Sequence, residues 1–292
     1  MTFSKDLDKI SLFLDTSIPV SQIIKGDDFR KRIDYLLSQF KWLGISSYSQ
    51  LEYGNRVLGE CEYLIKQLRK LGSFNRVQDW LINSLPPQQQ RKRTITLNLL
   101  QRIYGKNEQE CTERALRKLT RFMKLGTDFV RNCYTGKTID EVCNGTQCYW
   151  VYRSLVQKKD GLHWVRPSCK KEIKRCNIDK FFQDNKGVFL SIVSAIDGLN
   201  KPSQELIDFK NIIALAQNDP TVLLDYENCK KLADAIIAVD SNGYNNFFSQ
   251  NIAESQTLCQ VMEQIFYYLP PNFEKGIEVY NQSGELSETI KL

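Results

Sequence analysis

The stretch SLFLDTS, residues 11–17, decides how this chain is read. Leu12, Phe13 and Leu14 run without a polar break and stop at Asp15, Thr16 and Ser17. A short continuous apolar run bounded by polar residues is the pattern of a buried strand. The expected strand covers residues 10–16 and puts a carboxylate at its C-terminal edge. In open α/β sheets that edge is where ligands bind.

Working outward, DDFRKRIDYLLSQF (27–40) spaces Phe29, Ile33, Leu36, Leu37 and Phe40 as one face of a helix. WLGIS (42–46) suits a short strand. A long helix follows, with Ser47 or Ser49 as its N-cap and Gly72 as its C-cap. This alternation predicts an α/β sandwich on a central, mostly parallel sheet. Near the other end, a helix over 228–241, a strand at 246–249, a helix over 252–268 and a strand at 277–280 complete the same domain. The tail NQSGELSETIKL is expected to fray.

The middle differs. NSLPPQQQRKR (83–93) breaks the helical pattern, and Asp219-Pro220 marks a second boundary. Residues 1–82 and 219–292 therefore read as one discontinuous domain, with 83–218 as a mostly helical insertion. An insertion of that length needs a core of its own or a metal staple. Within 94–125, Cys111, Ala115, Leu119 and Phe122 share one helical face, while Arg114, Arg117, Lys118, Arg121 and Lys124 crowd another. In the cysteine-bearing segment 133–176, CYWVYRSLV and HWVRP flank KKDG, a hairpin pattern with Gly161 in the turn.

Charge is unevenly spread. Between Arg91 and Lys180 stand 21 Lys/Arg and 9 Asp/Glu, whereas the rest of the chain has 19 and 25. A basic middle in an acidic frame is the footprint of a polyanion binder; the plainer reading is a solvated basic face without a partner. No apolar run reaches the length of a membrane span, and MTFSKDLDK lacks the apolar stretch of a signal peptide. The expected setting is cytoplasmic, away from membranes. There the nine cysteines would be reduced or metal-bound.

Two more segments carry acids. ISSYSQLEY (45–53) offers Glu52 just inside a helix start. LADAIIAVDSNGYNNFFSQN (232–251) offers Asp234 at the opening of a helix, then a strand ending in Ser249 and Asn251. LFLDTS, SSYSQLEY and this third segment resemble the signature segments of PIN-domain nucleases. The resemblance covers only the two ends of the chain. It implies a PIN-like three-layer sandwich in which Asp15, Glu52 and Asp234 bind Mg²⁺ or Mn²⁺ and catalyse, with Asn251 and Ser249 as weaker contributors. It also implies nucleic acid, mostly RNA, as substrate, and allows a protein inhibitor or a homodimer as partner. Two departures stand out. Asn251 occupies a place where many relatives have Asp, and the gap from Glu52 to Asp234 is far longer than in minimal members.

The chemistry is coherent without the resemblance. Phosphodiester hydrolysis needs an in-line water and relief of charge on the attacking and leaving oxygens, which carboxylate-held divalent ions supply. Such carboxylates would repel one another without the ion. His163 is the only histidine, so ribonuclease chemistry by a histidine pair is excluded. Each acid also has an ordinary reading: Asp15 as a turn cap, Glu52 paired with Arg56 at i+4, and Asp234 at a helix N-terminus. Asp240, six residues past Asp234 on a helix, points away from it and reads as a solvent or capping residue.

Cys143, Cys148, Cys169 and Cys176 flank the hairpin and could ligate a structural zinc, with Cys133 as a substitute and His163 as a lesser candidate. The ordinary alternative is reduced cysteines packed as small apolar side chains, the role also expected of Cys61, Cys111, Cys229 and Cys259. Candidate nucleic-acid contacts are Arg91, Lys92, Arg93, Arg117, Arg121, Trp150, Arg153, Trp164 and Arg166, cations interleaved with aromatics that suit stacking and phosphate contact; His163 fits a surface or stacking role in the same hairpin. The expected function is a metal-dependent endonuclease, most simply an endoribonuclease. The alternative is a catalytically silent PIN-like nucleic-acid-binding or adaptor protein.

Overall fold

Side chains alternate across a strand, and in the first strand, β1 (Ser11–Leu14), both destinations are apolar. Leu12 and Leu14 enter one buried cluster and Phe13 another. A sheet with cores on both faces must carry helices on both faces. The structure, a computed structural model, describes residues 11–24, 27–83, 96, 112–113, 115–117, 119–120, 139–148, 155–158, 161–165, 176–271 and 275–291.

Among these residues, β1 is followed by α1 (Ser17–Ile24), α2 (Asp27–Ser38), β2 (Trp42–Ser46) and α3 (Ser47–Tyr53). A π-helical turn (Gly54–Leu58) joins α3 to α4 (Gly59–Leu71), and α5 (Phe74–Asn83) follows. Gly72 ends α4 in the left-handed conformation expected of a C-cap, and Ser46 rather than Ser47 or Ser49 caps α3. Next come β3 (Glu141–Cys143), the antiparallel pair β4 (Leu155–Lys158) and β5 (Gly161–Trp164), and helices α6 (Ile178–Asp184), α7 (Lys186–Asp197) and α8 (Gln204–Asn218). A 3₁₀ turn (Pro220–Leu224) leads to α9 (Tyr226–Lys231) and α10 (Ala233–Asp240), then β6 (Asn246–Ser249), α11 (Ile252–Val261), β7 (Ile265–Tyr268), β8 (Ile277–Tyr280) and β9 (Leu286–Ile290).

The fold is α/β. Seven strands form one sheet in the order β3-β2-β1-β6-β7-β8-β9. The five from β3 to β7 run parallel, and β8 and β9 are added antiparallel. From β1 the chain builds outward through β2 and β3, then returns to start the other half at β6. The β1/β6 junction is thus a topological switch point, where the crevice outside the carboxyl ends opens.

One core gathers α1, α2, α4 and α5 with Leu12, Leu43, Ile45 and Phe248; the other gathers α6, α7, α8 and α10 with Phe13, Phe247 and Phe266. The described parts of residues 83–218 build no separate core. Ala115, Leu119 and Ile139 join the first cluster, and β3 and α6 to α8 join the sheet and the second cluster.

Three strands depart from expectation. The helix expected over 252–268 stops at Val261, Glu263 takes a positive φ of 54°, and IFYY becomes β7. Aromatic and β-branched residues suit a half-buried pleated surface. The tail expected to fray instead folds back on β8 as β9, through a turn in which Asn281 accepts from Gly284. β3, three residues long, is too short to leave a pattern in the sequence.

A close approach fixes the spacing behind β2. A Cβ on Gly44 would stand 2.2 Å from the Tyr244 hydroxyl. Tyr244 is held there by its hydrogen bond to Glu141 (2.7 Å) and by edge contact with Phe13. Gly44→Ala is expected to cost roughly 1–3 kcal/mol, as overpacking does, measured by urea denaturation. Unchanged stability would show that Tyr244 can yield.

Candidate active site

Asp15 follows β1 directly at the switch point and is 8 % exposed. Its Oδ2 accepts from the Ser17 hydroxyl (2.5 Å), the Ser17 N–H (3.1 Å) and the Ser249 hydroxyl (2.8 Å). Ser249 ends β6, and its oxygen also accepts from the Asn251 N–H (3.0 Å). The Gln250 N–H donates to Ser17 Oγ (3.0 Å). These bonds aim Asp15 and leave its second oxygen outside the network. Ser249 is thus a positioning group, and Asn251 is the N-cap residue of α11 without a side-chain cap bond.

Glu52 sits near the end of α3, and the π-turn begins two residues later. Such a turn re-aims the side chains around it and is frequent at functional sites. Here it carries Arg56, whose guanidinium stands 3.9 Å from Glu52. Asp234 lies in the first turn of α10. Its carboxyl is pushed well above the usual carboxylate range, first by withdrawal from water, then by the charges of Asp15, Glu52 and Glu254; Arg56 opposes the rise. The three sequence-predicted acids therefore share one electrostatic neighbourhood, although 219 residues separate Asp15 from Asp234.

Glu254 is a member that the sequence reading missed. It lies in the first turn of α11, is 4 % exposed and accepts from the Ser203 hydroxyl (2.8 Å). It supplies a charge three residues beyond the uncharged Asn251. The signal was available: an acid in the first turn after an Asn at the N-cap.

The carboxylates sense one another but stand apart. Among the described residues no three His, Cys, Asp or Glu side chains are grouped so as to hold a metal ion. Two buried hydroxyls next to this chemistry, Thr16 Oγ1 beside Asp15 and Ser49 Oγ three residues before Glu52, have no hydrogen-bond partner.

Asp240 is not the solvent residue expected. It is turned away from Asp234, as helical spacing requires, but is only 9 % exposed. Its Oδ2 accepts from the Ser46 hydroxyl (2.5 Å) and its Oδ1 from the Gly145 N–H (3.3 Å). Burial raises its carboxyl from the ordinary 3.8 to about 6, against the pull of these two bonds.

The cysteine reading is redistributed. Cys148, Cys176 and Cys229 surround Tyr48, whose phenol is pushed up by burial and then by these thiols; Tyr48 also hydrogen-bonds Cys229. Burial, Glu141 and Asp240 push the Cys143 thiol up to about 12. Cys229 is half-buried rather than core, whereas Cys61 and Cys259 are buried as expected. Cys169, Cys111 and Cys133 lie outside the described residues.

His163 is largely covered rather than on the surface. Its Nδ1 stands 3.0 Å from Glu62 on α4, both side chains are largely covered, and Lys66 completes the group (2.6 Å). The hairpin β4–β5 is thereby docked on the helix that continues from Glu52. Of the candidate nucleic-acid contacts, Arg117 is helical and exposed, and Trp164 lies in β5. Arg91, Lys92, Arg93, Arg121, Trp150, Arg153 and Arg166 lie outside the described residues. No helix among the described residues is long and apolar enough to cross a membrane.

No protein-family model, curated protein or solved structure matches the chain.

The raised carboxyl of Asp240 makes a pH prediction. An acid whose folded pKa is raised favours the fold while it is protonated. That contribution is complete below about pH 3.8 and is lost as pH rises through about 6. The shift corresponds to about 3 kcal/mol. Urea unfolding is expected to show stability declining through this window, and Asp240→Asn to flatten part of the decline. An identical slope in the variant would contradict the assignment.

Proposed function

We propose that the protein is a Mg²⁺- or Mn²⁺-dependent endonuclease of PIN-like type that acts on RNA. One observation supports the reading: burial, and after it the charges of Asp15 and Glu52 from two distant segments, raise the Asp234 carboxyl, and Asp15 stands at the switch-point edge of a mostly parallel sheet. An arrangement that spends stability on repulsion is expected where a bound cation relieves it.

The donor chemistry suits such an ion, which would have to draw the three carboxylates closer than they stand here. Asp15 offers the oxygen that its three donors leave alone, and Asp234 carries no hydrogen bond among the described residues. The unpartnered hydroxyls of Thr16 and Ser49 suit ordered water near a hydrated ion. Asp15, Glu52 and Asp234 would hold the ion, and Glu254 would restore the charge that Asn251 lacks. When bound, the ion would activate water and neutralise charge on the phosphate. Ser17 and Ser249 hold Asp15 in place. Arg56 opposes the charge of Glu52 and Asp234 and would meet a phosphate oxygen. The basic segment between Arg91 and Lys180, with Arg117 exposed, would bind the remaining backbone. A structural zinc on Cys143, Cys148, Cys169 and Cys176 is a separate proposal, for elemental assay.

A second reading has its own observation. Arg56 already stands among the carboxylates, so the site could be internally neutralised and the protein a silent RNA-binding module. Turnover separates the two readings. Labelled single-stranded RNA is expected to be cut in Mn²⁺ and spared in EDTA. Asp15→Ala and Asp234→Ala are expected to lower kcat/KM roughly a hundredfold or more, the scale of losing a group that stabilises transition-state charge. Glu254→Gln is expected to lower it less. Full activity in both alanine variants would remove the site; binding without turnover in the wild type would favour the silent module.

A further inference from the structure

We propose that Asp240 is a positioning residue for the carboxylate site: by bonding Ser46 and Gly145 it fixes the separation of the helices that carry Glu52 and Asp234. This inference rests on the cation-binding reading above.

Two links join α3 to α10. At one end the Ser46 hydroxyl donates to Asp240 Oδ2 at 2.5 Å. At the other, the charges of Glu52 and Asp234 act on each other. Glu52 lies six residues after Ser46, and Asp234 six residues before Asp240. The two helices pack against each other, and each leg, Ser46 to Glu52 and Asp240 to Asp234, spans ~9 Å at 1.5 Å per residue. One link attracts and the other repels. A strut at the attractive end resists the splaying that repulsion at the far end promotes.

The strut is braced on both sides. Ser46 is the N-cap of α3, and its oxygen accepts from the Tyr48 N–H (3.1 Å) while its hydroxyl donates to Asp240. The Asp240 carboxylate thus lies at the N-terminal end of α3, where the helix dipole favours negative charge. It also lies at the C-terminal end of its own helix, where the dipole disfavours it. Its position is explained by the partner helix. Gly145 contributes the second bond, and no larger residue fits: a Cβ there would stand 2.3 Å from the Phe181 ring and 2.7 Å from Asp240 Oδ1. Ser47 ties the same turn to α3 through Asn144 (2.8 Å). The segment that follows β3 is thereby clamped to the start of the helix bearing Glu52.

Asp240 bonds none of the candidate ligands, so its effect on a bound ion must pass through helix placement. The test is Mn²⁺ affinity by calorimetry for wild type, Asp240→Ala, Asp240→Asn, Asp240→Leu and Ser46→Ala, with circular dichroism as a check on folding. Asp240→Ala is expected to weaken affinity about tenfold or more. Asp240→Asn keeps one acceptor for Ser46 while its amide meets the Gly145 N–H, and is expected to restore part of that loss; the isosteric Asp240→Leu fills the same space with no acceptor and is expected to restore none. If Asp240→Ala fails to fold, Ser46→Ala decides, with an expected loss of severalfold. Wild-type affinity in a folded Asp240→Ala or Ser46→Ala protein would overturn the inference, as would a loss in Asp240→Asn equal to that in alanine. Absence of Mn²⁺ binding by the wild type would instead overturn the cation-binding reading itself.

Discussion

The repulsion among carboxylates at the end of the β1/β6 junction is the constraint around which the molecule is arranged. Burial and neighbouring negative charge both disfavour an ionised Asp234, and a free chain would relieve both by moving apart. The fold prevents that. Asp15 is anchored by Ser17 and Ser249 across the junction. Glu52 is fixed by a helix capped at Ser46, and Glu254 by Ser203. A protein that holds like charges together without needing them would be expected to lose them, because substitution would stabilise it.

The sheet supplies the rigidity. Parallel strands buried on both faces leave their C-terminal edge as the place where loops and helix starts converge. Asp15, Ser249 and Ser46 all lie at that edge, one beyond each of three adjacent strands or at its last residue. Glu52 follows Ser46 by six residues, and Asp234 and Glu254 lie in the first turns of their own helices. Among the described residues Arg56 is the cation whose charge opposes that around Asp234, and the π-turn delivers it.

Local signals made the frame legible. The apolar run ending at Asp15, the helical spacing of Phe29 to Phe40 and Gly72 as a cap all describe short-range physics, and the elements form where those signals stand. The placing of two acids was legible, Asp15 directly after β1 and Asp234 in the first turn of α10, whereas Glu52 stands near the end of α3 rather than just inside its start. Non-local partners were not legible. Helical spacing correctly turns Asp240 away from Asp234, but Ser46, which makes Asp240 a buried strut, lies 194 residues away. Glu62 hides 101 residues from His163. IFYY reads as the end of a helix until a neighbouring strand claims it, and β9 needs β8 before its alternation means anything.

The central claim is that the buried negative charges cost stability until a divalent cation relieves them. Thermal unfolding of wild type and Asp234→Asn, with and without Mg²⁺, tests it most directly. The account predicts that Mg²⁺ raises the wild-type Tm by mass action. It predicts that Asp234→Asn melts higher than wild type in EDTA, and that Mg²⁺ then adds little. A wild-type Tm indifferent to Mg²⁺, with Asp234→Asn less stable than wild type, would contradict it.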